Sequence, residues 1–270
     1  MISDFTLAAS VVEDGPEFAR TRRVVDPPRR RAPPEPWAAP EVRAGTAYGL
    51  SCDVYSWGVL ARQLGAACGA GAVCEAALLA RCLAAAPEQR PSSDEVFSEC
   101  EAALKAAGGA TQLPDEAVFG VGLQEAQPGD STTEGWQIAP KFKLAHEFLD
   151  FGDFVAEGGF SEIYRGSYKG RPVAIKKLKT WLLGEETLVE FQKEAEVLAS
   201  LYHPNILVMV GITTFPSLCI VTPWAERGAL DGYVYKESNP LPASLACRIQ
   251  LGIARGALYL HSVRILHRDM

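Results

Sequence analysis

The spacing of apolar residues changes partway along this 270-residue chain, and that change limits the folds that it can adopt. Up to about residue 107, apolar residues recur every three or four positions, as Val54, Trp57 and Leu64 do, which is typical of amphipathic helices. From about residue 149 they alternate in short runs between turns, which indicates strands. The segment between them carries glycine, proline, serine and threonine without a period. The sequence therefore predicts an α+β chain with a helical part over 1–107, a linker over 108–147 and a third part over 148–270.

The same patterns predict individual elements. Helices are expected over residues 53–65, 75–86, 185–201 and 244–262, and another after Pro91. Strands are expected over residues 151–155, 163–168, 172–178, 206–212 and 218–221. Ser92 and Glu95 form the S-x-x-E pattern of a capping box, so the helix after Pro91 has a defined start. The predicted order is helices, linker, an antiparallel sheet with one helix, and a last long helix.

Composition excludes several classes of protein. The formal net charge is −7, from 26 Lys and Arg against 33 Asp and Glu, so a general nucleic-acid binder is not expected. No apolar run reaches the roughly 18 residues of a membrane span, and the first residues lack the pattern of a signal peptide. The seven cysteines are odd in number and show no C-x-x-C spacing, so free thiols are expected rather than a zinc site or a disulfide framework. We therefore expect a cytoplasmic location.

A glycine-containing turn between two predicted strands is the first candidate for chemistry. Glycines let backbone N–H groups approach phosphate oxygens without an intervening side chain. An ordinary hairpin turn has the same composition, so the turn by itself leaves both interpretations open. Its residues are Val155, Ala156, Glu157, Gly158, Gly159, Phe160, Ser161 and Ile163.

Three charged residues are the other candidates. Lys176 lies among the apolar residues of a predicted strand, where its ammonium points either to solvent or into a cleft. Glu194, on the helix that follows, could reach Lys176, and an ion pair there would fix the ammonium for phosphate binding. Asp269 follows an apolar helix and a His-Arg pair, and it is a candidate proton acceptor for a hydroxyl nucleophile.

In order and spacing these motifs resemble the first half of a eukaryotic protein kinase domain, most closely that of the tyrosine-kinase-like Ser/Thr kinases. Residues 149–269 contain AEGGFSEI, VAIK, FQKEAEVL, HPNI and HRD, which resemble the glycine-rich loop, the strand lysine, the helix-C glutamate, the approach to the fourth strand and the catalytic loop. The resemblance implies a bilobal fold with a five-stranded antiparallel sheet and helix C in one lobe and helices in the other.

Residues 1–107 resemble the other half of the same fold. The segments ISDFT, WAAPE, DVYSWG and PEQRP resemble the D-F-G segment, the end of the activation segment, the start of the central helix and the last signature of the helical lobe. The resemblance implies that Asp4 is the metal ligand and that Arg90 pairs with Glu41. It also implies that Asp53 accepts backbone N–H groups around His267 and Arg268.

The two halves stand in reversed order, and two explanations compete. The chain is either a window of a tandem kinase, with the tail of one domain and the head of the next, or one circularly permuted kinase domain. The family pattern also expects an asparagine five residues after Asp269, whereas only Met270 follows it. If the halves associate, Asp4, Lys176, Glu194 and Asp269 are predicted to converge on one cleft.

The resemblance implies phosphoryl transfer from Mg²⁺-ATP to a Ser or Thr hydroxyl of a protein substrate. It assigns Lys176 and Glu194 to the phosphates, Asp4 to Mg²⁺ and Asp269 to the substrate hydroxyl. The residues implied for the adenine side are Ala174, the gatekeeper Thr222, and Pro223, Trp224 and Ala225 of the hinge. Two departures, Ala156 in the loop and Thr6 in place of the D-F-G glycine, favour the alternative of a pseudokinase or ATP-binding docking module.

Overall fold

The computed structural model describes residues 9–10, 36–68, 75–106, 138–179, 185–234, 241–268 and 270. The chain divides into two compact units. The helical unit comprises Met1–Asp115 together with Ala229–Met270, and the sheet unit comprises Glu116–Gly228. The first is therefore discontinuous in sequence, and the second is continuous.

The elements alternate in type as the spacing of apolar residues predicts, and the α+β class is confirmed. The helices are α1 Pro40–Arg43, α2 Ser51–Ala67, α3 Ala76–Cys82, α4 Ser93–Ala106, α5 Glu185–Ser200, α6 Asp231–Val234 and α7 Ala243–Ser262. The strands are β1 Ala9–Ser10, β2 Leu149–Glu157, β3 Ser161–Tyr168, β4 Arg171–Leu178, β5 Gly211–Thr213, β6 Cys219–Pro223 and β7 Ile265–Leu266. Short 3₁₀ turns span Pro87–Gln89, Pro140–Phe142 and His146–Phe148.

The core of the helical unit is shared by its two sequence segments. One cluster joins residues of α2, α3 and α4, including Trp57 and Leu78, to Leu251 and Ala254 of α7. A second joins Leu64 to Leu241 and Ala246. In a third cluster, Ala39 and Cys52 pack with Leu266. Because burial of apolar area is the main stabilising term in a fold, each segment depends on the other for its core.

Polar contacts and a strand pair join the same two segments. The Trp57 indole N–H donates to the Gln250 carbonyl at 3.3 Å, and the Gln250 side-chain amide donates to the Ala61 carbonyl at 3.0 Å. The short strand β1 pairs antiparallel with β7, with Ala9 opposite Leu266 and Ser10 opposite Ile265. The beginning of the chain is thus hydrogen-bonded to a strand near its end.

The capping box predicted for the helix after Pro91 is confirmed. The Ser92 backbone N–H donates to the Glu95 carboxylate at 2.7 Å, and the Glu95 N–H donates to the Ser92 hydroxyl at 3.2 Å. This reciprocal pair satisfies two backbone N–H groups that have no carbonyl partner within the helix. It fixes where α4 begins, and Val96, Cys100 and Leu104 then face the core.

The sheet unit contains one five-stranded antiparallel sheet with the order β2-β3-β4-β6-β5. Lys169 and Gly170, which form the turn between β3 and β4, both have positive φ, at 50° and 77°. This is the backbone that a two-residue hairpin with the natural twist requires. The hairpins place β4 in the middle of the sheet, between β3 and β6.

The predicted strand over 206–212 is mostly wrong, because only Gly211–Thr213 pairs with β6. A turn precedes it, in which the Ile206 N–H donates to the His203 carbonyl at 3.0 Å. Ile206 and Met209 are buried three positions apart, so the apolar residues of this stretch fill the core without alternating.

None of the helices in the described part of the chain combines the length and the apolar composition that a membrane-spanning helix needs.

Candidate functional site

The glycine-containing turn between β2 and β3 is closed by its own backbone. The Gly158 N–H donates to the Ser161 carbonyl at 2.8 Å. Non-glycine residues with positive φ in the described ranges are Lys169, Arg264 and Arg268, so Ala156 does not adopt the left-handed backbone that favours glycine. The alanine at this position therefore introduces no backbone strain.

Neither glycine of this turn is required by the fold. A Cβ on Gly158 would lie 3.6 Å from Ser161, an ordinary contact, and a Cβ on Gly159 would meet no atom within 4 Å. Neither residue has a positive φ. In Gly166 of β3, by contrast, a Cβ would lie 2.3 Å from the Asp150 carbonyl and 2.5 Å from Ile175. Strand pairing thus explains Gly166, whereas the space beside Gly158 and Gly159 is left open for another molecule.

Lys176 lies on β4, directly opposite Ile163 of β3 and Ile220 of β6. Successive side chains of a strand point to opposite faces, and its neighbour Ile175 is fully buried in the core of the sheet unit. Lys176 therefore projects from the other face. Its Nζ lies 2.7 Å from both carboxylate oxygens of Glu194 on α5.

This ion pair combines a buried glutamate with a partly exposed lysine. The Glu194 side chain is 6% exposed, while that of Lys176 is 26% exposed. A carboxylate that contacts the ammonium through both oxygens fixes its position. The arrangement can hold a positive charge at a defined point of β4, opposite Ile163, which lies two residues after Ser161 at the end of the turn.

The residues expected on the adenine side lie along the same strands. Ala174 is directly opposite Thr222 in the β4–β6 register. The Trp224 N–H donates to the Pro172 carbonyl at 3.3 Å, and the Arg165 guanidinium lies 5.2 Å from the Trp224 ring centre. Ala225 begins a turn in which its carbonyl accepts the Gly228 N–H at 3.0 Å. The chain thus leaves the sheet immediately after Thr222 and Pro223.

In the helical unit, Asp53 joins α2 to the segment that follows α7. Its carboxylate accepts the backbone N–H groups of His267 and Arg268, each at 2.8 Å. The His261 ring Nε2 lies 3.1 Å from the same carboxylate. Arg268, with φ of 70°, also donates from its guanidinium to the Tyr48 hydroxyl at 3.0 Å. Asp53 therefore shapes the backbone immediately before Asp269.

The ionised form of Asp53 is favoured in the fold. Burial by itself raises the pKa of this carboxyl, but the hydrogen bond and charge of His261, together with His267, outweigh burial and lower its pKa below the ordinary value. A buried carboxylate that accepts several donors is stable only with all of them in place. This requirement couples α2 to α7 and to the residues after it.

Arg90 and Glu41 form a second buried polar contact in the helical unit. Two parallel hydrogen bonds, at 2.6 and 2.8 Å, join the guanidinium to the carboxylate. The remaining guanidinium N–H groups donate to the carbonyls of Ala84, Ser51 and Ala85 at 2.8 to 3.1 Å. The Arg90 side chain has no exposed surface, and its role is to hold α1 against the loop before α4.

Two of the residues expected in the site, Asp4 and Asp269, lie outside the described residues. The structure brings Lys176 and Glu194 together in the sheet unit, and Asp53, His267 and Arg268 together in the helical unit. Sequence reasoning missed His261, because a histidine on an apolar helix face is usually an ordinary core residue. It also missed Lys179, which follows β4 with no motif to mark it. Among the described residues no cluster of three or more His, Cys, Asp or Glu could hold a metal ion.

The chain is also similar in sequence to known proteins. A family model for protein tyrosine and serine/threonine kinases matches residues 149–270. The "Probable serine/threonine-protein kinase SIS8" of Arabidopsis thaliana is 37% identical over 131 residues, which cover 47% of this chain and 13% of the relative. Two further Arabidopsis thaliana kinases are similar, the serine/threonine-protein kinase STY46, 33% identical over 144 residues, and the serine/threonine/tyrosine-protein kinase HT1, 38% identical over 128 residues.

The aligned parts cover 53% of this chain and 24% of STY46, and 45% of this chain and 33% of HT1. The chain thus spans a third or less of the length of these relatives. The matched range contains the glycine turn, Lys176, Glu194 and the H-R-D segment. Residues 149–270 are thus similar in sequence to the protein tyrosine and serine/threonine kinase family.

Proposed function

We propose that this protein transfers a phosphoryl group from ATP to Ser or Thr hydroxyls of a protein substrate. The observation that carries the proposal is the ion pair between Lys176 and the buried Glu194, beside a turn whose glycines the fold does not require. A fixed ammonium and an open backbone turn are what triphosphate binding needs. The names of the relatives support serine and threonine as the targets.

The residues of the sheet unit fit a nucleotide. Because Gly158 and Gly159 have no Cβ, phosphate oxygens could approach the backbone of the turn without meeting a side chain at these two positions. Lys176 would bind the α- and β-phosphates, with Glu194 holding its ammonium in place. Val155, Phe160 and Ile163 would flank the nucleotide, and Ala174, Thr222, Trp224 and Ala225 would line its adenine side.

The remaining roles fall on residues outside the described ranges. Asp4 would ligate Mg²⁺, and Asp269 would orient the substrate hydroxyl and accept its proton. When bound, the metal ion neutralises charge on the transferred phosphate. The contribution of Asp53 would be indirect, because it holds the His267 and Arg268 backbone that leads into Asp269.

We further propose that the chain uses its own N-terminal segment as part of the helical lobe that its kinase sequence requires. Three hydrophobic clusters, the β1–β7 pair and the Asp53 contacts all join the first segment of the helical unit to the second. This arrangement favours a permuted domain, and it is compatible with an origin in a tandem kinase. The division at 1–107, 108–147 and 148–270 stays a proposal for the order of the pieces.

Transfer of radiolabelled phosphate from ATP to a generic basic protein, together with ATP binding by calorimetry, tests the function. Lys176→Met and Glu194→Gln should abolish transfer and weaken binding, because each removes one member of the ion pair. Lys177→Met is the matched control: it is the adjacent lysine of β4, and its ammonium lies 5.8 Å from the Phe151 ring centre. If the wild-type chain binds ATP and transfers no phosphate, the alternative of an ATP-binding docking module is correct.

A further inference from the structure

Lys179, immediately after β4, is a buried lysine that the proposed phosphate contacts do not use. Its side chain is 7% exposed, whereas lysine side chains are almost always solvated. Removing an ammonium from water is unfavourable unless donors and charge are compensated. The partners of Lys179 therefore indicate what its burial achieves.

The contacts of Lys179 reach across the glycine turn. Its Nζ forms an ion pair with the Glu157 carboxylate and donates to the Gly158 carbonyl at 2.9 Å. Its backbone N–H donates to the Phe160 carbonyl at 3.0 Å. These three contacts attach the part of the turn from Glu157 to Phe160 to the end of the strand that carries Lys176.

We propose that Lys179 is a positioning residue that holds the glycine turn in place for a nucleotide, with Glu157 as its counter-charge. The inference rests on the proposed ATP-binding function and adds a determinant of it. Lys179 contacts the turn and not the phosphates, so it acts through the backbone of Glu157, Gly158 and Phe160. Lys176 on β4 supplies a positive charge at a fixed position, and Lys179, which follows the same strand, holds the turn in place.

The physical reason lies in the composition of the turn. Gly158 and Gly159 are adjacent, and two glycines without an anchor sample many backbone conformations. Ordering them would then reduce the affinity for a nucleotide, since binding would include the loss of that freedom. The Lys179 contacts order the turn before the nucleotide arrives. Their loss should therefore weaken ATP binding, although no group that touches ATP is removed.

Amide hydrogen exchange of residues 156–161 in the nucleotide-free protein tests the attachment itself. Lys179→Met and Glu157→Gln should each speed exchange of this turn by about fivefold to tenfold, the factor that the net free energy of one ordinary hydrogen bond supplies. Lys179→Arg keeps the charge and the donors and should restore slow exchange. Glu162→Gln is the matched control, because Glu162 is opposite Glu157 in the β2–β3 register and accepts the Tyr164 hydroxyl instead.

ATP binding by calorimetry, with transfer kinetics on the same variants, tests the consequence. The dissociation constant and the KM for ATP should rise by about fivefold to tenfold in Lys179→Met and Glu157→Gln, with kcat changed much less. Glu157→Gln alters a side chain that is 58% exposed, so it tests the proposal even if Lys179→Met does not fold.

The outcomes separate this proposal from the function on which it rests. If hydrogen exchange of the turn is unchanged in both Lys179→Met and Glu157→Gln, the attachment is overturned, regardless of the affinity for ATP. Faster exchange with unchanged ATP affinity overturns the positioning role. A wild-type chain that binds no ATP contradicts the proposed function and the positioning role with it, while the exchange data still decide whether Lys179 orders the turn.

Discussion

The helical unit is assembled from two separate segments of the chain, whereas the sheet unit is one continuous segment. In the helical unit the decisive contacts join residues far apart in sequence, such as Asp53 to the N–H groups of His267 and Arg268. In the sheet unit the central ion pair joins Lys176 to Glu194, only 18 positions later.

This difference suits the two units to different tasks, the helical unit to the stability of the fold and the sheet unit to its proposed chemistry. Two buried polar groups of the helical unit, Asp53 and Gln250, have partners in the other segment, so both segments must be present for these contacts to form. In the sheet unit, the paired charges of Lys176 and Glu194 lie on neighbouring elements, and the Lys176 side chain is partly exposed. Changes in the helical unit should therefore lower stability, and changes in the sheet unit should lower function first.

Removing residues 1–106 should have the largest effect. It would expose the apolar face of α7, including Leu251, Ala246 and Ala254, and exposure of a large apolar side chain costs about 1.5–3 kcal/mol. We expect the shortened chain to lose the circular-dichroism signal of its folded helices or to aggregate.

The control for that deletion is the full chain cut at a protease site inserted within residues 116–137. The two fragments should co-elute in gel filtration, because the clusters that join them do not depend on chain continuity. Fragments that separate, or a shortened chain that folds normally, would show that the two segments do not need each other.

Arg90→Ala should cause the next largest loss. It leaves the Glu41 carboxylate buried without its bidentate partner and three carbonyls without a donor, so the free energy of unfolding should fall by about 3–5 kcal/mol. Denaturation by urea measures this change. Lys105→Ala, which breaks a pair with Glu101 on the surface of α4, should leave the free energy of unfolding nearly unchanged.

Asp53→Asn should lower stability at neutral pH by about 1.5–3 kcal/mol, since an amide offers one acceptor where the carboxylate offers two. The folded state lowers the pKa of Asp53, so its contribution is present above the unfolded value of about 3.9 and is lost as the pH falls through the folded value. Urea denaturation between pH 7 and pH 2 should show less additional loss below about pH 4 in the variant than in the wild type. An equal acid dependence would contradict the role given to Asp53.

Two glycine variants of the sheet unit should change stability least, and they should differ clearly from each other. Gly166→Ala should destabilise the sheet by about 1–3 kcal/mol, because its Cβ would lie 2.3 Å from the Asp150 carbonyl. Gly159→Ala should leave the melting temperature unchanged, since its Cβ meets nothing within 4 Å, and should weaken ATP binding. If Gly159→Ala binds ATP as tightly as the wild type, the turn does not approach a nucleotide.

Much of the sheet unit could be predicted from the sequence, because its contacts are local. Alternation placed β2, β3 and β4, and Lys169 and Gly170 marked the hairpin between the last two. Glu194 lies on α5, the first helix after the strand of Lys176, so the two side chains could be expected to meet from the sequence alone. The stretch before β5 was mispredicted because its buried residues Ile206 and Met209 lie three positions apart and do not alternate as the residues of a strand do.

The amino-acid sequence by itself determined the periodicity of the main elements, the capping box at Ser92 and Glu95, and the kinase-like motifs within residues 149–270. Only the tertiary structure decided that α2 and α7 share one core, that His261 joins Asp53, and that Lys179 is attached to the glycine turn. The physical reason is that propensity and spacing act over a few residues. A buried polar group, by contrast, is satisfied by whichever partner the whole fold brings within hydrogen-bond distance.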